Sequence, residues 1–144
     1  MRIVLTTDGS SEPNPGKTRI GAVLQDTQGT VIGLVSEPSG YGTSNTAEYT
    51  AILRGLQECA RHGATHVTVY TDSQLVCHQL EGVFNVKNTR LKGLHKNVLS
   101  TSKRFTRVRF RWHSREEGMG PAADSLAKGG KAAAEVYEQL AETS

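Results

Sequence analysis

The sequence predicts an α/β domain built on a mixed sheet, and three observations carry that prediction. Two strand-like runs end alike, Ile3-Val4-Leu5-Thr6-Thr7-Asp8 and Val67-Thr68-Val69-Tyr70-Thr71-Asp72. Residues 19–26 and 30–36 alternate on either side of Gln28-Gly29, a connection short enough to imply an antiparallel meander. Residues 45–62 switch to helical period, with apolar positions 49, 52, 53, 56, 59 and 60. Beyond strand 3 the connections are helical, and right-handed crossovers permit strands 1, 4 and 5 to run parallel.

Element by element, residues 2–8 read as strand 1, and Gly, Pro and Asn across 9–16 mark a turn. Strands 19–26 and 30–36 follow, then a loop through Gly40, Gly42 and Ser44. The helix 45–62 stops at Gly63. Residues 66–71 form strand 4, 73–80 a short helix, 90–104 a longer one and 107–113 strand 5. Pro121 opens a last helix that runs on through Leu126, Ala133, Val136 and Leu140, weakened at Gly129-Gly130. The order is β-β-β-α-β-α-α-β-α. A ligand site then lies beyond the carboxyl ends of the parallel strands, where Asp8 and Asp72 stand.

The 144 residues suit a single domain, 1–144. No apolar run is long enough to span a membrane. The chain opens on a strand rather than a signal-peptide core. Cys59 and Cys77 make no disulfide framework. A reduced, cytoplasmic protein is expected. Net charge is only +3, yet ten of the seventeen Lys and Arg residues, and none of the fourteen acids, fall between Lys87 and Arg115. Such a stretch attracts polyanions, nucleic acid first. Arg107, Arg109 and Arg111 also fit the outer side of an edge strand, where charge deters aggregation.

Four acids stand at strand ends or helix starts. Taken singly, each has a structural role open to it. Asp8 precedes Gly9 as in ordinary turns. Glu48 follows Asn45 by three residues, as in a capping box. Asp72 suits an N-cap, and Asp124 a helix's first turn. Together they suit a site at one sheet edge. Clustered carboxylates raise one another's pKa, and a hard divalent cation such as Mg²⁺ relieves them. Four acids accommodate two such ions, and beside a basic stretch they point to phosphodiester hydrolysis.

The segments TDGSSEPNPG (7–16), TSNTAEYTAILRGL (43–56), TDSQLV (71–76) and PAADSLA (121–127) resemble ribonuclease H type 1, over roughly residues 3–134. The resemblance implies a five-stranded mixed sheet flanked by helices. It implies endonucleolytic cleavage of the RNA strand of an RNA–DNA hybrid with Mg²⁺ or Mn²⁺, leaving 5′-phosphomonoesters. The metal-binding and catalytic acids are then Asp8, Glu48, Asp72 and Asp124, and Asn14, Thr43, Asn45 and Gln74 match hybrid-contacting positions. Amides and hydroxyls of this kind read the 2′-OH. The segment 73–104 is too short for the basic protrusion of some members, and VKNTRLKGL (86–94) looks like the compact bacterial and archaeal ones. Grip then falls to the basic stretch. A monomer without an obligatory protein partner is expected.

The chain departs from the pattern at Gly120, where the family usually has Asn, and the segment 113–124 is a residue or two longer than usual. Two alignments are open there. One makes His113 a mobile proton-transfer residue. The other matches Arg115-Glu116 to an Arg-Glu pair and leaves His113 as the end of a strand. Glu116 and Glu117 are candidates for outer assistance or simply loop acids. Two other functions remain in view: a non-catalytic module binding hybrid or double-stranded RNA, and a nuclease of the same superfamily acting on double-stranded RNA or DNA.

Overall fold

The computed structural model describes residues 1–143, with side-chain surroundings given through residue 140. Five strands, β1 (Arg2–Glu12), β2 (Gly16–Gln25), β3 (Val31–Gly42), β4 (His66–Thr71) and β5 (Arg107–Trp112), form one sheet in the order β3-β2-β1-β4-β5. β1, β2 and β3 pair antiparallel, while β4 pairs parallel with β1 and β5 parallel with β4. The expected mixed sheet is the one observed.

Alternation along the strands splits the core in two. Ile3, Leu5, Val67, Val69 and Phe110 face α1 (Ser44–Arg61), α2 (Gln74–Leu80) and α3 (Thr89–Ser102), and the larger cluster closes around Tyr49, Ile52, Leu56 and Val98. On the other face Val23 packs with Ala123 and Leu126 of α4 (Gly120–Lys128) and with Ala133 and Val136 of α5 (Gly130–Thr143). Both cysteines are buried and free. Among the described residues no helix is long and apolar enough to cross a membrane.

Several expectations are corrected, each for a physical reason. β1 does not end at Asp8. It runs to Glu12 because the β1–β2 ladder continues through Asp8↔Gly21 to Glu12↔Lys17, and only the pairing with β4 stops, at Thr6↔Tyr70. Likewise β3 extends to Gly42. The single last helix is two. Gly129 and Gly130 both have positive φ, +74° and +54°, which breaks the helical path. α1 is capped by Thr43, whose side chain accepts from the Thr46 N–H while Thr46 Oγ1 accepts from the Thr43 N–H. The box of Asn45 with Glu48 is therefore not formed. Ser73, not Asp72, caps α2. Asp124 lies one turn inside α4 rather than in its first turn. The structural roles read for Glu48, Asp72 and Asp124 are thereby removed.

Candidate metal centre and nucleic-acid interface

Three backbone features bring the acids together. Asp8 is presented by β1 just past the last β4 pairing, and Asp72 follows the last residue of β4. Glu48 comes from α1, whose backbone crosses β1 so closely that a Cβ at Gly9 would collide with Ala47 and Glu48. Only glycine permits that approach. As a result the Gly9 N–H donates to Glu48 Oε1 at 3.1 Å and to Asp8 Oδ1 at 3.0 Å. Carboxylate oxygens of Asp8, Glu48 and Asp72 lie within 4.8 Å of one another.

These are costly neighbours. Asp8 is 3% exposed and Glu48 6%. Burial, with Asp72's charge adding to it, raises Asp8 from 3.8 to about 7, although its hydrogen bond with Glu48 works the other way. Burial and then Asp8's charge raise Glu48 well above the ordinary carboxylate range. Neither has a cationic side chain bonded to it among the described residues. Buried carboxylates without a counter-charge are the donor set that a hard divalent cation satisfies, so the residues fit Mg²⁺ or a similar ion.

The fourth acid is held differently. Asp124 shares a hydrogen bond with Asp8, and Lys128 Nζ, one turn on, reaches its Oδ2 at 2.9 Å. Burial pushes Asp124 up, but the bonds to Lys128 and Asp8 leave it below its usual value. Arg115 lies between the two flanks, with Nε at 2.9 Å from Asp72 Oδ2 and 3.8 Å from Asp124 Oδ1. Its side chain is 56% exposed, so the pair with Asp72 is worth about 0–1 kcal/mol. Asp8, Glu48, Asp124, Arg115 and Lys128 all line one cleft of about 460 Å³.

His113 is not part of this arrangement. Its ring stacks on Tyr70 at 4.8 Å, and none of its described bonds reaches the four acids. Glu116 is exposed, and Glu117 accepts the Ser114 N–H to shape the loop. Arg115, not His113, is the loop residue on Asp72. Gly120 has a steric reason: a Cβ there would strike the Arg115 carbonyl. Gly120→Asn should therefore displace the loop that carries Arg115, at a cost of about 1–3 kcal/mol by urea unfolding. Unchanged stability would mean that the loop yields freely.

Three of the four residues expected to contact a hybrid lie together. Asn14, Thr43 and Asn45 line one pocket with Asn88 and Arg90 at the start of α3. Asn14 Oδ1 accepts the Ser44 N–H at 3.1 Å, while Asn45 keeps its amide unpartnered among the described residues. Gln74 stands apart from that pocket, exposed at the start of α2, two residues after Asp72. The fold also divides the basic stretch: Arg90 joins this pocket, whereas Arg107 and Arg109 lie on β5. Sequence reasoning missed Lys128, although its i,i+4 spacing from Asp124 was the available signal. It also missed the indole of Trp112, whose N–H donates to the Asp72 carbonyl at 3.0 Å.

A β3-β2-β1-β4-β5 sheet carrying carboxylates from β1, α1 and the end of β4 defines a ribonuclease H-like domain. A sequence model described as reverse transcriptase-like matches residues 6–130. The bifunctional protein Rv2228c of Mycobacterium tuberculosis is 34% identical over 113 residues, 78% of this chain and 31% of that protein. The chain thus spans about a third of the length of the mycobacterial relatives it matches. Ribonuclease H1 of Halobacterium salinarum superposes with a TM-score of 0.86 at 27% identity, covering 94% of this chain and 99% of that one. LC11-RNase H1, solved with an RNA/DNA hybrid, gives 0.82 at 30% identity, covering 88% and 94%. The chain belongs to the reverse transcriptase-like family and, within it, to ribonuclease H type 1.

Proposed function

We propose that this chain is an endoribonuclease that hydrolyses the RNA strand of RNA–DNA hybrids and leaves 5′-phosphomonoesters. The observation that carries the reading is the convergence of Asp8, Glu48 and Asp72 within 4.8 Å, beside an amide-lined pocket at the start of α1. The solved complex of LC11-RNase H1 with a hybrid supports the substrate. Held by Asp8, Glu48, Asp72 and Asp124, two Mg²⁺ ions, or Mn²⁺, would supply water activation and charge neutralisation at the scissile phosphate.

The chain's own residues do the positioning. The Gly9 N–H aims Glu48 at Asp8. The Trp112 indole fixes the backbone from which Asp72 projects. Lys128 keeps Asp124 ionised and turned toward Asp8. Asn45, with its amide free, reads a 2′-OH, while Asn14 locks the start of α1 beneath it. Gln74 contacts the strand beyond Asp72, and Arg90 grips phosphate without specifying sequence. The chain works as a single domain and a monomer in the cytoplasm.

The test is cleavage of end-labelled hybrid, RNA duplex and DNA duplex of one sequence, with Mg²⁺, Mn²⁺ or chelator. Metal-dependent cutting of the RNA strand of the hybrid alone is expected. Hybrid binding with no turnover in either metal would overturn the reading. Asn45→Ala should raise KM about tenfold with kcat little changed, because one hydrogen bond to a polar group is lost.

A further inference from the structure

The sheet has a second basic surface, away from the acid cleft. On β1, β4 and β5 the residues that alternate with the core point to the face opposite α1: Arg2 and Val4, His66 and Thr68, Arg107 and Arg109. Register aligns them in rows, Arg2–His66–Arg107 and then Val4–Thr68–Arg109. Together with Thr27 they line a cleft of about 500 Å³. α4 and α5 cover the β2–β3 side of this face, around Val23, Val31 and Leu34. None of the three arginines has a carboxylate partner among the described residues. His66 feels that field: burial first, then Arg2, the N-terminal amine and Arg107, lower its pKa. Farther along the same face, Tyr70 stacks on His113.

Charge that merely protects an edge strand explains Arg107 and Arg109 but not Arg2, which is on the central strand of the sheet. Unpaired guanidinium groups from β1 and β5, on either side of His66 of β4, form an anion track. A track leading to an aromatic pair suits a strand whose bases are unpaired and free to stack. We infer that the Arg2–His66–Arg107–Arg109 cleft binds a single-stranded nucleic acid segment, held by its phosphates, at a surface separate from the acid cleft. Six residue steps along β1 carry the chain from Arg2 to Asp8, about 20 Å. The arginine cleft is therefore at the opposite end of β1 from the acids, with Tyr70, level with Thr6, between the two. The inference concerns binding only and does not depend on hydrolysis at the acid cleft.

The experiment is fluorescence anisotropy of labelled oligo-dT with the full chain in chelator, as a function of salt. Arg107→Gln/Arg109→Gln should weaken binding about tenfold and flatten the log K against log salt slope by about 1.4, two phosphate contacts at about 0.7 each. Arg2→Gln, on a different strand, should weaken it in the same sense. Cleavage of a short blunt hybrid by these variants should stay within about twofold of the parent, and thermal unfolding will confirm that they fold. Loss of oligo-dT binding in Arg90→Gln, but not in the Arg107/Arg109 variant, would overturn the inference by placing the strand at the hybrid pocket. Equal displacement of oligo-dT by poly-glutamate would overturn it in favour of an acidic protein segment.

Discussion

Asp72→Asn leaves the chain folded and lowers hybrid cleavage by well over about 100-fold, more than the 10–100-fold that losing a supporting partner of a metal site costs. The asymmetry between activity and folding follows from the geometry. Asp72 does not cap α2, since Ser73 does, and its backbone is held independently by the Trp112 indole. Its one described ionic partner close at hand is the half-exposed Arg115, which contributes little to stability. Asp8→Asn should lose activity equally. Circular dichroism and urea unfolding beside the cleavage assay check both variants. Metal-dependent turnover surviving in either would sink the metal-centre assignment.

Without metal, stability should fall as pH rises from about 4 to 7. In that window the native protein retains a proton on Asp8, whose value is about 7, while the unfolded chain has released it at its ordinary 3.8. The unfolded state then binds fewer protons, so each pH increase favours unfolding, by up to about 1.4 kcal/mol per pH unit for each such group. Glu48 is raised by burial and acts with the same sign. Asp124 is depressed and acts oppositely, but its contribution is lost only as pH falls below its ordinary 3.8. A divalent cation binds the ionised native cluster and not the unfolded chain, so Mg²⁺ should raise the unfolding temperature most at pH 7 and above. Thermal melts from pH 4 to 8, with chelator and with Mg²⁺, measure this. A metal-free profile that rises with pH would show that the acids are not the strained group described here.

Much of this was legible in the chain. β4 was read to its observed bounds because Val67, Val69 and Thr71 alternate cleanly and Gly63 and Ser73 bracket them. The acids are legible only as a set, because all four stand at predicted strand ends or helix starts where one sheet edge can gather them. What failed to show was long-range. Nothing local distinguishes a turn at Asp8-Gly9 from a strand that continues because β2 pairs with it. The Asn45-to-Glu48 spacing matches a capping box locally, but β3 runs to Gly42 and α1 starts at Ser44, so the cap falls on Thr43 with Thr46. Arg115 and Gly120 make sense only together, since the glycine is needed where the chain passes the arginine's own carbonyl. The charge run hid a partition that only the sheet reveals, with Arg90 on one surface and Arg107 and Arg109 on another.

The close crossing of α1 over Gly9 also governs how the site breathes. The Gly9 amide is bonded to two buried carboxylates and lies mid-ladder between β1 and β2. Its N–H is held by Glu48 of α1 and by Asp8, so it exchanges with solvent only when α1 lifts from β1, which is close to global unfolding. The loop at 114–119, tied down largely by its own bonds, opens on its own. The acids therefore form a rigid platform, and the adjustable partner is the segment carrying Arg115. In isotope exchange, Gly9 should rank among the slowest amides of the chain and the 114–119 amides among the fastest.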